Sequence, residues 1–222
     1  MQDEFDLPPE TRDAVSRIFH LYDPPLWLVT AGDGHRRSGM IATSVTRASI
    51  VAEWPRMLIA IAIAIAIAIA IAIAIAIAIA IAIAKQHDTW GLIESTGRFA
   101  LHLLPSDDLD TVWRFGLASG HQVDKFADLA LPDTPGGNPR YPGVLSWLDC
   151  RVEQRLDSGD RSVYLAGITG GALLQQAPVL TVATLLRDAP PERKAALDRL
   201  YTQDQAIDHA AILAWRRLHQ SL

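Results

Sequence analysis

The sequence predicts a mainly β chain with added helices (α+β), built as an antiparallel barrel rather than a doubly wound α/β sheet. Three observations point there. The elements run as one helix, then many short β-prone segments parted by Gly- and Pro-rich turns, with two short inserted helices and a helical tail. Residues 144–174 read as two long strands joined at Asp157-Ser158-Gly159-Asp160, a hairpin signal. GxGxxG and P-loop signatures, which would mark a nucleotide-binding βα turn, do not occur.

Pro8-Pro9 precede "ETRDAVSRIFHLY", where Val15, Ile18, Phe19 and Tyr22 fall at helical spacing, and Pro24-Pro25 ends that helix. "LWLVTA" (26–31) is a strand, "GDGHRRSG" (32–39) a turn, and "MIATSVT" (40–46) a second strand that completes a hairpin. Residues 49–61 read as extended, broken at Pro55, and 85–97 as a loop and short helix ending at Gly97. "RFALHLL" (98–104) alternates as a strand. Residues 106–116 form a helix with Ser106 as candidate N-cap and acidic residues in the first turn. Residues 131–143 are a Pro/Gly loop. Residues 178–186 read as a last strand. Pro190-Pro191 opens the tail, where Ile207, Ala210, Ala211, Ala214 and Leu218 are expected on one face. The domain expectation is therefore a lead-in at 1–25, a barrel at 26–186 and a helical tail at 187–222.

Thirteen Ile-Ala pairs fill residues 59–84, and they distort the composition. The whole 222-residue chain is 50% hydrophobic with a mean hydropathy of +0.15. Without the block, about 85 (111 less 26) of 196 residues are hydrophobic, roughly 43%, ordinary for a soluble domain. Leu58–Ala84 is long enough to span a bilayer, but its period is two rather than 3.6. Three readings stand: a membrane span, a functional long strand or helix, and a simple-repeat expansion or sequence artefact inside an ordinary strand. The last is preferred, because "PRMLIAIA" runs smoothly into "KQHDTW" once most pairs are removed. The block is β-prone, uncharged and free of Pro, an aggregation hazard.

A net charge of −5 argues against a general nucleic-acid-binding surface. One cysteine, Cys150, excludes an intramolecular disulfide framework and a Cys-based zinc cluster, and its place in a predicted strand marks it as a small buried hydrophobe. The seven histidines show no metal-ligand spacing. The acidic start "MQDEFDLPPE" lacks a signal-peptide pattern, so a cytoplasmic location is expected. Two polar clusters stand out. Thr43, Ser44 and Thr46 close a strand beside Arg47. Lys85, Gln86, His87 and Thr89 open a short helix, and together these segments could cradle an anion. On composition alone, caps and turns remain the default reading for both.

Taken in order, "LVTAGDGHRRSGMIATSVTRASI", "PRMLIAIA…KQHDTWGLIESTGRFALHLL", "DKFAD" and "GVLSWLDCRVEQRLDSGDRSVYLAGI" resemble the flavin reductase-like family of FMN-binding split barrels, over most of residues 26–170. The resemblance implies an FMN-binding antiparallel split barrel with an N-terminal helix and a helical tail. It implies that FMN is the cofactor, with FAD as the alternative, that NAD(P)H is the co-substrate, and that the protein is a homodimer with a monooxygenase as downstream partner. By position it places Thr43 and Ser44, followed by Val45 and Thr46, against the flavin ring and its chain. It places Lys85, Gln86, His87 and Thr89 near the flavin phosphate. Many relatives carry Gly-Asp-His in the late hairpin, whereas this chain has Gly159-Asp160-Arg161. Arg161 either meets a nicotinamide dinucleotide, for instance at its phosphates, or is a solvated turn residue. No general acid or base is assigned. A single membrane span at the repeat would put the two flavin segments on opposite sides of a bilayer, so it excludes this site. The resemblance also leaves about ten Ile-Ala pairs in excess. The rivals are a flavin-binding module without reductase activity and a membrane-associated or self-assembling protein acting through the repeat.

Overall fold

The computed structural model describes residues 8–19, 21–49, 51, 53, 55–60, 88–117 and 123–219. The Ile-Ala pairs from residue 61 onward lie outside them, as do Lys85, Gln86 and His87.

Seven strands form one antiparallel sheet: β1 (Trp27–Gly32), β2 (Arg37–Ala42), β3 (Ser44–Arg47), β4 (Arg56–Ala60), β5 (Arg98–Leu103), β6 (Ser146–Asp157) and β7 (Ser162–Leu173). Their hydrogen-bonded order is β2-β1-β5-β6-β7-β4-β3. The two edge strands, β2 and β3, are separated in the chain by Thr43 alone. A flat sheet cannot satisfy both facts. The sheet curls until its ends meet at Thr43, giving the split antiparallel barrel that the sequence led us to expect.

The curl runs along the β6–β7 hairpin. One end of it pairs with β5 (Leu103↔Ser146), which pairs in turn with β1 (Trp27↔Leu103), and the turn end of β7 pairs with β4 (Ala60↔Val163). Register shifts at Asp149/Cys150 and Val152/Gln154 bend β6 between these ends. Alternation sorts the β1 side chains between two cores. Val29 and Ala31 face the barrel interior with Met40, Val45, Ile59, Phe99 and Tyr164. Leu26 and Leu28 face the outer layer with Ile41, Val112, Phe115 and Leu185.

Five helices complete the described chain: α1 (Pro9–Phe19), α2 (Asp88–Thr96), α3 (Leu109–Gly116), α4 (Val182–Asp188) and α5 (Pro191–His219). α2 drives Leu92 and Ile93 into the barrel interior and stops at Gly97, whose φ of 65° is the left-handed conformation glycine takes most readily. α3 is capped by Asp108, whose carboxylate accepts from the Thr111 amide at 3.1 Å, rather than by Ser106. The expected strand at 178–186 is not one. Val179 and Thr181 make isolated bridges to Pro105 and Pro25, and Thr181 then caps α4. The tail is helical, but most of its expected apolar face points outward: Ile207, Ala210, Ala214 and Leu218 are exposed, and Ala211 alone of the five is half-buried.

Candidate functional site

β2, Thr43 and β3 form one wall of the candidate site. Thr43 is buried, Ser44 half-buried and Thr46 exposed, while Val45 belongs to the interior core. The β3–β4 ladder fixes their order, with Ser44↔Ala60, Val45↔Ile59 and Thr46↔Leu58. Trp27 pairs with Ala42, the residue just before Thr43, and packs on the interior core. Its indole N–H is buried with no partner among the described residues, so this wall holds a donor without an acceptor.

The first turn of α2 reaches the same strand from the other direction. Thr89 is buried, and its hydroxyl lies 2.9 Å from that of Ser38 on β2. Arg36, in the β1–β2 turn, meets Asp88 at 3.4 Å. Ser38, Met40 and Ala42 share the interior side of β2. The two segments singled out in the sequence, as far as they are described, are therefore attached to one strand, Thr89 at Ser38 and Thr43 at its end.

Arg161 lies in the β6–β7 turn, next to Ser162, which accepts from Trp90 of α2 at 3.1 Å. Its guanidinium is divided between Asp160 at 2.6 Å and Asp208 of α5 at 2.9 Å, so it is neither free nor simply solvated. Burial and the neighbouring Asp208 push the Asp204 carboxyl up to about 7, with Arg161 opposing them. Gly159, at φ 98°, sits against Trp215 so closely that a Cβ there would overlap the indole.

Two histidine and cysteine positions are structural. His102 is fully buried, accepting from the Tyr141 amide at 3.2 Å through Nε2 and lying 3.3 Å from the Leu28 carbonyl through Nδ1. Burial lowers it to about 4, which keeps it neutral. Burial, with Asp149 beside it, raises the Cys150 thiol well above its ordinary range. Asp149, itself buried, accepts from Thr134 Oγ1 at 2.5 Å, Gly136 N at 2.8 Å and Asn138 Nδ2 at 3.3 Å, and so pins the 131–143 loop to β6.

Sequence reasoning missed several residues that shape this region: Ser38, Trp27, Asp208, and the group Trp90, Glu94, Arg155, Ser162 and Tyr164 around α2. None sits in a local motif. Only the register of β6 on β7, with Arg155 opposite Tyr164, could have paired two of them. Among the described residues no helix is long and apolar enough to cross a membrane.

Comparison with known proteins adds independent information. The family description "Flavin reductase like domain" matches residues 19–184. A high molecular weight rubredoxin of Moorella thermoacetica is 26% identical over 170 residues, covering 76% of this chain and 64% of that protein. HsaB of Rhodococcus jostii, a flavin-dependent monooxygenase reductase subunit, is 30% identical over 97 residues, 43% of this chain and 48% of HsaB. The chain thus spans less than two thirds of either curated relative. Among solved structures, the Streptomyces globisporus C-1027 NADH:FAD oxidoreductase SgcE6 superposes with a TM-score of 0.59 at 18% identity, covering 82% of this chain and 93% of that one. At that identity the likeness is one of fold.

Proposed function

The chain belongs to the flavin reductase-like domain family, and from that premise we propose that it is an FMN-dependent NAD(P)H:flavin oxidoreductase, with FAD as the alternative flavin. In this reading it is a cytoplasmic homodimer that hands reduced flavin to a monooxygenase. HsaB, by name a monooxygenase reductase subunit, and SgcE6, by name an NADH:FAD oxidoreductase, support that direction.

The observation that carries the reading is the attachment of Thr89 to Ser38 on the strand that ends at Thr43. It ties the ring-binding and phosphate-binding segments to one scaffold. Thr43 and Ser44 present hydroxyls and backbone amides to the edge of a flat heteroaromatic ring, and Val45 backs them from the interior. The unpartnered Trp27 N–H fits a ring rich in carbonyl and imine acceptors. The start of α2 supplies amide donors to a phosphate, and Lys85, Gln86 and His87, immediately before it, supply a cation and further donors. When bound, the flavin accepts a hydride from the nicotinamide, and the protein's task is to position the two and exclude water.

A second reading, flavin binding without reductase activity, draws on Arg161, which is held by Asp160 and Asp208 where relatives place a histidine. Visible absorbance of the protein with FMN, before and after anaerobic NADH or NADPH, tests both. Bleaching of a bound-flavin spectrum supports the reductase. A bound flavin that stays oxidised supports the second reading, and no bound flavin sinks both.

A further inference from the structure

Helix α2 presents two working faces. One buries Thr89, Leu92 and Ile93. The other carries Trp90 and Glu94, four residues apart and therefore neighbours on the helix surface. These two meet a polar group on the β6–β7 hairpin, where Arg155 stands directly opposite Tyr164 in the ladder and Ser162 lies two residues along the same face. Trp90 Nε1 donates to Ser162 Oγ at 3.1 Å, and Arg155 Nε donates to the same oxygen at 3.0 Å. Arg155 Nη1 lies 2.9 Å from Glu94 Oε2, and the Tyr164 hydroxyl donates to Glu94 Oε1. The Arg155 guanidinium also lies 5.9 Å from the centroid of the Trp90 ring. Every polar atom of Glu94 that faces the sheet is thereby engaged. Tyr164 is fully buried, and burial together with Glu94 pushes its hydroxyl well above the ordinary range, so it remains a donor.

Such a group does more than hold a helix somewhere on a sheet. Leu92 and Ile93 alone would let α2 slide or roll, because apolar contact is not directional. The Glu94 carboxylate, bound on both oxygens, fixes translation and roll from one side, while Thr89–Ser38 fixes the first turn from the other. We propose that Glu94, with Tyr164 and Arg155, is a positioning residue for the flavin phosphate, setting where the amides at the start of α2 point. This rests on the flavin reading above. Glu94 itself touches no phosphate; it acts through the helix.

The test is the affinity of full-length protein for FMN and for riboflavin, which lacks the phosphate, measured by flavin absorbance and fluorescence titration in wild type, Glu94→Gln and Tyr164→Phe. The expected result is a roughly tenfold weaker FMN affinity in Glu94→Gln, with riboflavin affinity within about twofold of wild type. Tyr164→Phe, which leaves the ring packing in place, should show a smaller change of the same kind. Equal losses for both flavins would mean a merely structural role and overturn the assignment, as would no loss for either. Thermal melts of each variant identify one that fails to fold, in which case Tyr164→Phe decides. Wild type that binds neither flavin would remove the flavin reading itself and this assignment with it. Wild type that binds both equally would overturn the phosphate site at α2, and this assignment with it, while leaving flavin binding intact.

Discussion

His102 shows how one buried residue sets a pH limit. Its folded value, about 4, lies below the ordinary 6.5, so the unfolded chain binds the proton more tightly. The stability tied to its neutral form is complete above pH 6.5 and is lost as pH falls toward 4, a change of about 3 kcal/mol from a shift of this size. His102→Leu should lower stability at neutral pH by about 1–3 kcal/mol, since the Tyr141 amide loses its acceptor. It should also flatten the decline between pH 6.5 and 4. Urea melts of both proteins across that range check this, and an unchanged acid slope would refute the role. In the sequence, the spacing of the histidines gives no metal-ligand pattern. It could not single out His102, because its partners Leu28 and Tyr141 are 74 and 39 residues away. Thr89 was legible as a helix-start residue, whereas Ser38 was not, for the same reason of distance along the chain.

At the scale of elements, local pattern was a good guide where turn chemistry is strong, as in the β6–β7 hairpin, and it found the β1–β2 hairpin but not its bounds: β2 begins at Arg37, inside the expected turn, and the expected strand at 40–46 is divided between β2 and β3 at Thr43. It failed where tertiary contacts decide. Residues 178–186 look β-prone, yet Pro178 to Thr181 are already held as bridges and backbone bonds, and the Thr181 cap turns the rest into α4. α5 was placed correctly but its docking face was not. The apolar stripe Ile207/Ala210/Ala214/Leu218 is exposed, and the helix instead meets the β6–β7 turn through Asp204, Asp208 and Trp215. Half-buried polar residues drive that contact, and hydrophobic periodicity does not register them.

The same contact gives α5 a pH dependence. Arg161 from the turn and Asp208 from α5 act on Asp204, and burial and Asp208 raise its docked value to about 7 against an ordinary 3.8. A raised carboxyl value means that docking is strongest below pH 3.8 and weakens as pH rises to 7. Hydrogen exchange of the α5 amides, corrected for intrinsic rate, should therefore be slower at pH 5.5 than at pH 8. Asp204→Asn should remove most of that difference, and its persistence would show that another group is responsible.

At the scale of the whole molecule, the chain leaves β4 at Ala60 and re-enters the described structure at Asp88. Ala60 pairs with Val163, and Trp90 bonds Ser162, so both ends of the interval are tied to adjacent residues of β7. A few residues suffice to join such anchors. Deleting ten Ile-Ala pairs should leave flavin binding within about twofold and shorten the closure by about two doublings in length, a gain near 1 kcal/mol at most. It should also raise the soluble yield, because it removes an uncharged β-prone run. Loss of flavin binding on deletion would instead make the repeat a working part.

Thr43 also dictates the order in which this barrel can assemble. β1–β2 and β6–β7 are hairpins that close over a few residues, but the seam between β4 and β7 joins Met57 to Ala166. Nothing local can nucleate that seam, so it belongs to the late, slow part of refolding. Removing twenty residues from so long a loop changes its closure by only about 0.2 kcal/mol. The repeat therefore does little to the refolding rate. It matters through time: while the seam is open, β3, β4 and β7 offer unpaired edges, and an alternating Ile-Ala segment is chemically the strand most apt to pair with them. Partitioning between refolded and aggregated chains should accordingly depend on protein concentration in the full-length protein and much less in the shortened one.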